Sequence, residues 1–101
     1  MSRVTLYLCA RHDRRMAWMQ EFIEDNRALI DSFSRPGCTV TLKNGDQRVW
    51  RLLDDSIRSM RCDDLKIDPD MERGRLDDRQ REMLLVARTL VRPAWKKPPA
   101  D

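Results

Sequence analysis

Apolar and polar positions change their period along the chain, and each change marks an element. Residues 4–10 are almost continuously apolar or β-favouring, the pattern of a strand covered on both faces inside an α/β sheet. Beyond them Met16, Met19, Phe22, Ile23, Asn26, Leu29 and Ile30 recur at helical spacing. This predicts an amphipathic helix with Asp13 as its N-cap, running to about residue 31, with Arg14, Arg15, Glu21, Glu24, Asp25 and Arg27 mainly facing water. Residues 32–37 break the pattern with Ser, Pro and Gly and read as a loop.

Two alternating runs, 38–43 and 47–53, then flank Asn44-Gly45-Asp46, a strong hairpin signal because Asn and Gly tolerate positive φ. A three-residue loop over 44–46 sets Val40 opposite Trp50 and Cys38 opposite Leu52, which gathers one apolar face. A two-residue loop pairs Val40 with Val49 and scatters that face. Residues 54–60 suit a short helical turn, and 64–68 a brief strand stopped by Pro69, with a loop at Gly74. Asp77 and Gln80 form a capping-box start to a second helix, whose inner face is Leu76, Gln80, Met83, Leu84, Ala87, Leu90 and Val91 and which Pro93 ends. The order strand-helix-hairpin-strand-helix predicts a small single α/β domain over residues 1–93. Its mixed sheet has about four strands with the helices packed on it. A basic, proline-rich tail over 94–101 is expected to be flexible.

Composition agrees with one core: the chain has 101 residues, 41% hydrophobic and 37% charged, enough apolar material for one domain beneath a heavily charged surface. Its 20 Lys and Arg against 17 Asp and Glu leave a net charge of +3. The two signs are interleaved, unlike the concentrated positive charge of a dedicated nucleic-acid binder. The exception is the stretch holding Arg88, Arg92, Lys96 and Lys97, where no acid intervenes. The N-terminal apolar run is too short for a signal peptide or a membrane span, so a cytoplasmic protein without membrane attachment is expected. Three widely spaced cysteines, Cys9, Cys38 and Cys62, suit buried reduced thiols.

Candidate chemistry is sparse. Gly37, Gly45 and Gly74 are isolated, so there is no glycine-rich phosphate loop. His12, the only histidine, falls at the C-terminal end of the first strand, where α/β proteins often place functional groups; its plain reading is an exposed loop residue. Cys9 and His12 are a poor nucleophile-base pair, because strand side chains alternate faces. No Cys-x-x-Cys spacing supports a zinc site joining His12 to the three cysteines. Asp68 and Asp70 could coordinate Mg²⁺ with Arg73 and Arg75 holding phosphate, as a nuclease would. Against this, Asp54, Asp77 and Asp68-Pro69 already suit helix starts and a turn, and no general base accompanies them. Trp18 and Trp50 fit the core. Trp95, beside Arg92, Lys96 and Lys97, could stack on a base, dock on a protein groove, or anchor the C-terminus.

Residues 4–71 resemble a stretch inside the ATPase domain of phage terminase large subunits and related P-loop NTPases. The residues that carry the resemblance are Leu6-Tyr-Leu-Cys-Ala-Arg-His-Asp-Arg-Arg, the hairpin Val40-Thr-Leu-Lys-Asn-Gly-Asp, and Met60-Arg-Cys-Asp-Asp-Leu-Lys-Ile-Asp68, similar to the stretch ending in the Walker B strand. The chain lacks the family's phosphate loop, and Pro69 stands where a catalytic glutamate would follow. The resemblance implies a nucleotide-motor fold kept for a purpose other than hydrolysis. The leading expectation is a non-enzymatic interaction protein with no cofactor, a phage or mobile-element accessory factor that binds a protein partner. A homodimer is also expected, since two helices leave part of a sheet uncovered. The alternative is a nucleic-acid-binding module using Arg73, Arg75, Arg79, Arg81, Arg88, Arg92, Trp95, Lys96 and Lys97. A third reading is the Mg²⁺-dependent nuclease on Asp68 and Asp70.

Overall fold

The computed structural model describes residues 3–54, 57–58, 60–69, 71 and 76–91. The elements are β1 (Val4–Cys9), α1 (His12–Asp25), a 3-10 turn (Arg27–Leu29), β2 (Ile30–Ser34), β3 (Thr39–Leu42), β4 (Gln47–Leu52), β5 (Asp64–Ile67) and α2 (Asp78–Thr89). The five strands form one mixed sheet in the order β2-β3-β4-β1-β5. As its unbroken apolar run predicts, β1 is interior, with parallel neighbours β4 and β5. The other side of the sheet is the antiparallel meander β2-β3-β4.

Alternation along the strands gives each face its own core. On one face Met19 and Ile23 of α1 pack with Cys38, Val40, Leu42 and Trp50. There Tyr7 stacks on Trp50 at 4.5 Å between ring centroids and 8° between planes, while Phe22 meets Trp50 edge-on at 5.4 Å. On the other face Leu6, Leu8 and Val49 pack with Met83, Ala87 and Leu90, the inner side of α2 and the turn that follows it, and with Ile57, Cys62 and Met71. One helix therefore covers each face. The capping box of α2 forms as the sequence predicts: Gln80 N donates to Asp77 Oδ1 at 2.7 Å, and Asp77 N to Gln80 Oε1 at 3.1 Å.

The structure adds a strand to the predicted sheet and shortens the first helix. α1 ends at Asn26, where the backbone leaves helical conformation with φ −129° and ψ 24° while the Asn26 N and side-chain Nδ2 both donate to the Phe22 carbonyl, at 3.1 and 3.0 Å. After the 3-10 turn the chain continues as β2 in place of the expected loop. The N-cap is Arg11, without a side-chain cap, and Asp13 lies in the first turn, 3.3 Å from the Arg11 guanidinium. The hairpin loop has the predicted length but begins one residue earlier, at 43–45. Leu42 N donates to Asp46 O at 2.8 Å, and Gly45 adopts φ 94°, as three-residue hairpin loops require of their last residue. Pairs shift by two, so Val40 faces Arg48 and every side chain keeps its face.

Candidate functional site

Ligands of open α/β sheets bind beyond the carboxyl ends of the parallel strands, where successive connections leave for opposite faces. In this fold that point lies between β1, which leads into α1, and β5, which is followed by α2 on the other face. Five residues meet there: Asp68, Arg14, Cys9, Arg15 and, at the surface, His12. Asp68, just after β5, is anchored by its backbone N donating to Leu8 O at 3.0 Å, and its side chain is only 1% exposed. Arg14, in the first turn of α1, reaches across and donates Nε to Asp68 Oδ2 at 3.0 Å and Nη2 to Oδ1 at 3.3 Å. Two guanidinium nitrogens on two carboxylate oxygens make a fork-shaped, charge-assisted pair. The expectation that Arg14 and Arg15 face water is corrected here, since both are half-buried.

Cys9 ends β1 on the α1 face and is fully buried. Burial first, and then the Asp68 charge, push its thiol up to about 12, although Arg14 and Arg15 oppose the rise. A thiol held protonated is a poor nucleophile. His12 is exposed, and its Nδ1 accepts from Arg15 Nη2 at 2.7 Å, so its partner is an arginine and not Cys9. Arg15 Nε is buried without a hydrogen-bond partner among the described residues. The crevice thus holds one arginine-aspartate pair, a second arginine and an inert thiol.

The other predicted positions are dispersed. No group of three or more His, Cys, Asp or Glu suited to a metal occurs among the described residues. Asp68 is committed to Arg14, while Asp70 lies outside the described residues. All three cysteines are buried thiols outside any disulfide, and they do not converge: Cys38 belongs to the α1-side core and Cys62 to the α2-side core. Trp18 meets Tyr7 edge-on at 4.9 Å, and Trp50 is fully buried, so both are structural. Arg79, Arg81 and Arg88 are exposed on α2. Arg79 and Arg81, two residues apart, leave a helix on different sides, and Arg81 lies 3.9 Å from Asp78. Arg73, Arg75, Arg92, Trp95, Lys96 and Lys97 lie outside the described residues. Among the described residues no helix is long and apolar enough to cross a membrane.

A second feature was hidden by the loop reading of 32–37. β2 pairs only with β3 among the described residues, and it is exposed from Asp31 to Ser34. Phe33 is 47% exposed and Leu29, just before the strand, is 57% exposed. Phe33 pairs with Val40 and so lies on the α1 face. An open groove there is lined by Ile23, Arg27, Ile30, Asp31, Phe33 and Arg35. The Arg35 guanidinium sits 5.5 Å from the Phe33 ring centre and donates through Nη1 to Gln20 Oε1 at 2.7 Å. The available sequence signal was Ile30 and Phe33 in a β-favouring stretch, outweighed by the following Pro36-Gly37.

Compared with family models, curated proteins and solved structures, the chain has no match.

Proposed function

We propose that this chain is a small interaction protein, and not an enzyme, that receives a polypeptide partner along the open edge of β2. The observation that supports the reading best is that edge: an exposed strand with an aromatic side chain beside an open groove that mixes Ile23 and Ile30 with charged side chains. An outer strand edge offers a row of backbone donors and acceptors to an added strand. In such strand addition the main chain supplies affinity and alternate side chains supply specificity. The crevice gives the reading further support, because the place where an α/β fold usually keeps its chemistry is filled by a neutralised ion pair and a protonated thiol. The resemblance of residues 4–71 to terminase ATPase domains is the ground for assigning the chain an accessory role in a phage or mobile element.

The reading is tested by comparing capture by tagged wild type, Phe33→Lys and Leu85→Lys, with an untagged copy of the chain co-expressed so that self and foreign partners are both read. Leu85 is 66% exposed on α2, away from β2, and serves as the control. A stoichiometric partner held by wild type and Leu85→Lys and lost by Phe33→Lys is expected. No partner for wild type, or the same partner for all three, refutes strand addition at β2.

A further inference from the structure

We infer that the partner of the β2 edge is a second copy of this chain, paired antiparallel about a two-fold axis at Phe33; the inference rests on the strand-addition reading above. Residues opposed across a sheet share a face, so a two-fold axis normal to the sheet pairs a strand with its copy only where one residue faces itself. Three such registers are open to residues 31–35. Centring on Ser32 sets the Asp31 carboxylate against the Phe33 ring. Centring on Ser34 sets Ser32 against Pro36, which has no N–H to give a ladder. Centring on Phe33 sets Phe33 against Phe33, Ser32 against Ser34, and Asp31 against Arg35 of the other copy.

In that register the segment Asp31-Ser32-Phe33-Ser34-Arg35 is complementary to itself in charge, with one acid-base pair at each end and an aromatic pair on the axis. Both charged residues are exposed. Asp31 has no ion-pair partner among the described residues, and Arg35, whose guanidinium lies over Phe33, has none either, its side chain hydrogen-bonding through Nη1 alone, to Gln20. The limits of the segment are also structural. Pairing with β3 slips between Ile30 and Ser32, and β2 ends at Ser34, so Asp31 lies at the slip and Arg35 is the first residue of the turn that follows, one charge at either end of the strand. The axis places both Phe33 rings on the α1 face, each beside the groove that Ile23 and Ile30 line. Directly opposed aromatic and opposite-charge pairs are the stabilising units of a sheet. Five paired residues make a short interface, so the dimer is expected to be weak and concentration-dependent.

Sedimentation of the full chain over a range of concentrations tests this, with Asp31→Arg, Arg35→Asp, the double variant, and an equimolar mixture of the two single variants. Each single reversal turns both symmetry-related pairs repulsive and is expected to weaken the dimer by about tenfold or more. The double variant restores opposite charges and should return within a few-fold of wild type. The mixture should form a heterodimer, because the two arginines that one variant carries at the segment ends then face the two aspartates of the other. Asp31→Asn and Arg35→Gln give the same reading at smaller amplitude should a reversal unfold the chain. A monomeric wild type, or single variants that dimerise as wild type does, overturns self-pairing; so does failure of the mixture to associate. A monomeric wild type whose captured partner is still lost on Phe33→Lys overturns self-pairing alone, whereas a dimer indifferent to every β2 substitution overturns strand addition as well.

Discussion

Replacing Asp68 by asparagine keeps the shape of the crevice and removes one charge from it, leaving Arg14 opposite a neutral amide. The backbone bond from Asp68 N to Leu8 O survives the change, so the effect reports on the side chain. Breaking a fully buried pair from one side costs about 3–5 kcal/mol, and an exposed pair is worth about 0–1 kcal/mol. Asp68 is at the buried limit with 1% of its side chain exposed, whereas Arg14 has 30% exposed and can regain part of its hydration. The expected loss therefore falls between these limits, about 2–3 kcal/mol, a substantial share of the roughly 5–15 kcal/mol that holds a domain folded. Replacing both partners, as Arg14→Met with Asp68→Leu, removes both desolvated charges and should recover most of the loss. Urea unfolding followed by tryptophan fluorescence measures each variant, and the double-mutant cycle isolates the coupling. Asp68→Asn within about 0.5 kcal/mol of wild type, the range of ordinary surface changes, would refute the reasoning. A double replacement that costs the sum of its single replacements would do the same.

Alkaline pH offers an independent check. Burial raises the Cys9 thiol from 9.0 to about 12 and raises the Tyr7 hydroxyl as well, so the unfolded chain releases these protons first. The resulting stability is fully present below the unfolded pKa and is lost as pH rises through the folded one. Urea midpoints should fall from about pH 9 upward, with a shallower fall in Cys9→Ala, and parallel curves for the two proteins would contradict the assignment. At the other end of the fold, Asp77→Ala removes the acceptor for Gln80 N and should cost about 1 kcal/mol. A variant as stable as wild type in thermal unfolding would show that the capping box carries no weight. Trp50→Ala, which empties the centre of the α1-side core, should cost about 3–5 kcal/mol. Trp50→Phe should cost much less, because both changes remove Nε1, a buried donor without a partner among the described residues, but only the phenyl ring refills most of the space, and equal losses in the two variants would count against that reading.

The elements with strong periodicity were legible from the residues alone. β1 announced itself by an unbroken apolar run, α2 by Asp77 and Gln80 ahead of a helical stripe, and the hairpin by Asn44-Gly45. What the residues concealed were competitions decided locally or across the fold. Leu29 and Ile30 continue the helical spacing of α1, yet the backbone leaves helical conformation at Asn26 before they are reached, and Ile30 pairs with Leu42 in the sheet instead. The hairpin frame depended on which residue took positive φ, and Gly45 took it. Arg14 reads as a water-facing residue because its partner, Asp68, lies 54 positions along the chain, and only the parallel pairing of β1 with β5 brings the two together. The same limit hid the open edge, since β2 becomes an edge only through its pairing with β3.

Photo-crosslinking through a reactive phenylalanine analogue at position 33, with the same analogue at position 85 as control, tests most directly whether β2 is the recognition surface. Crosslinks to another polypeptide, whether a second copy or a different protein, are expected from position 33 and not from position 85. Crosslinking from position 85 alone, or from neither, would contradict the account.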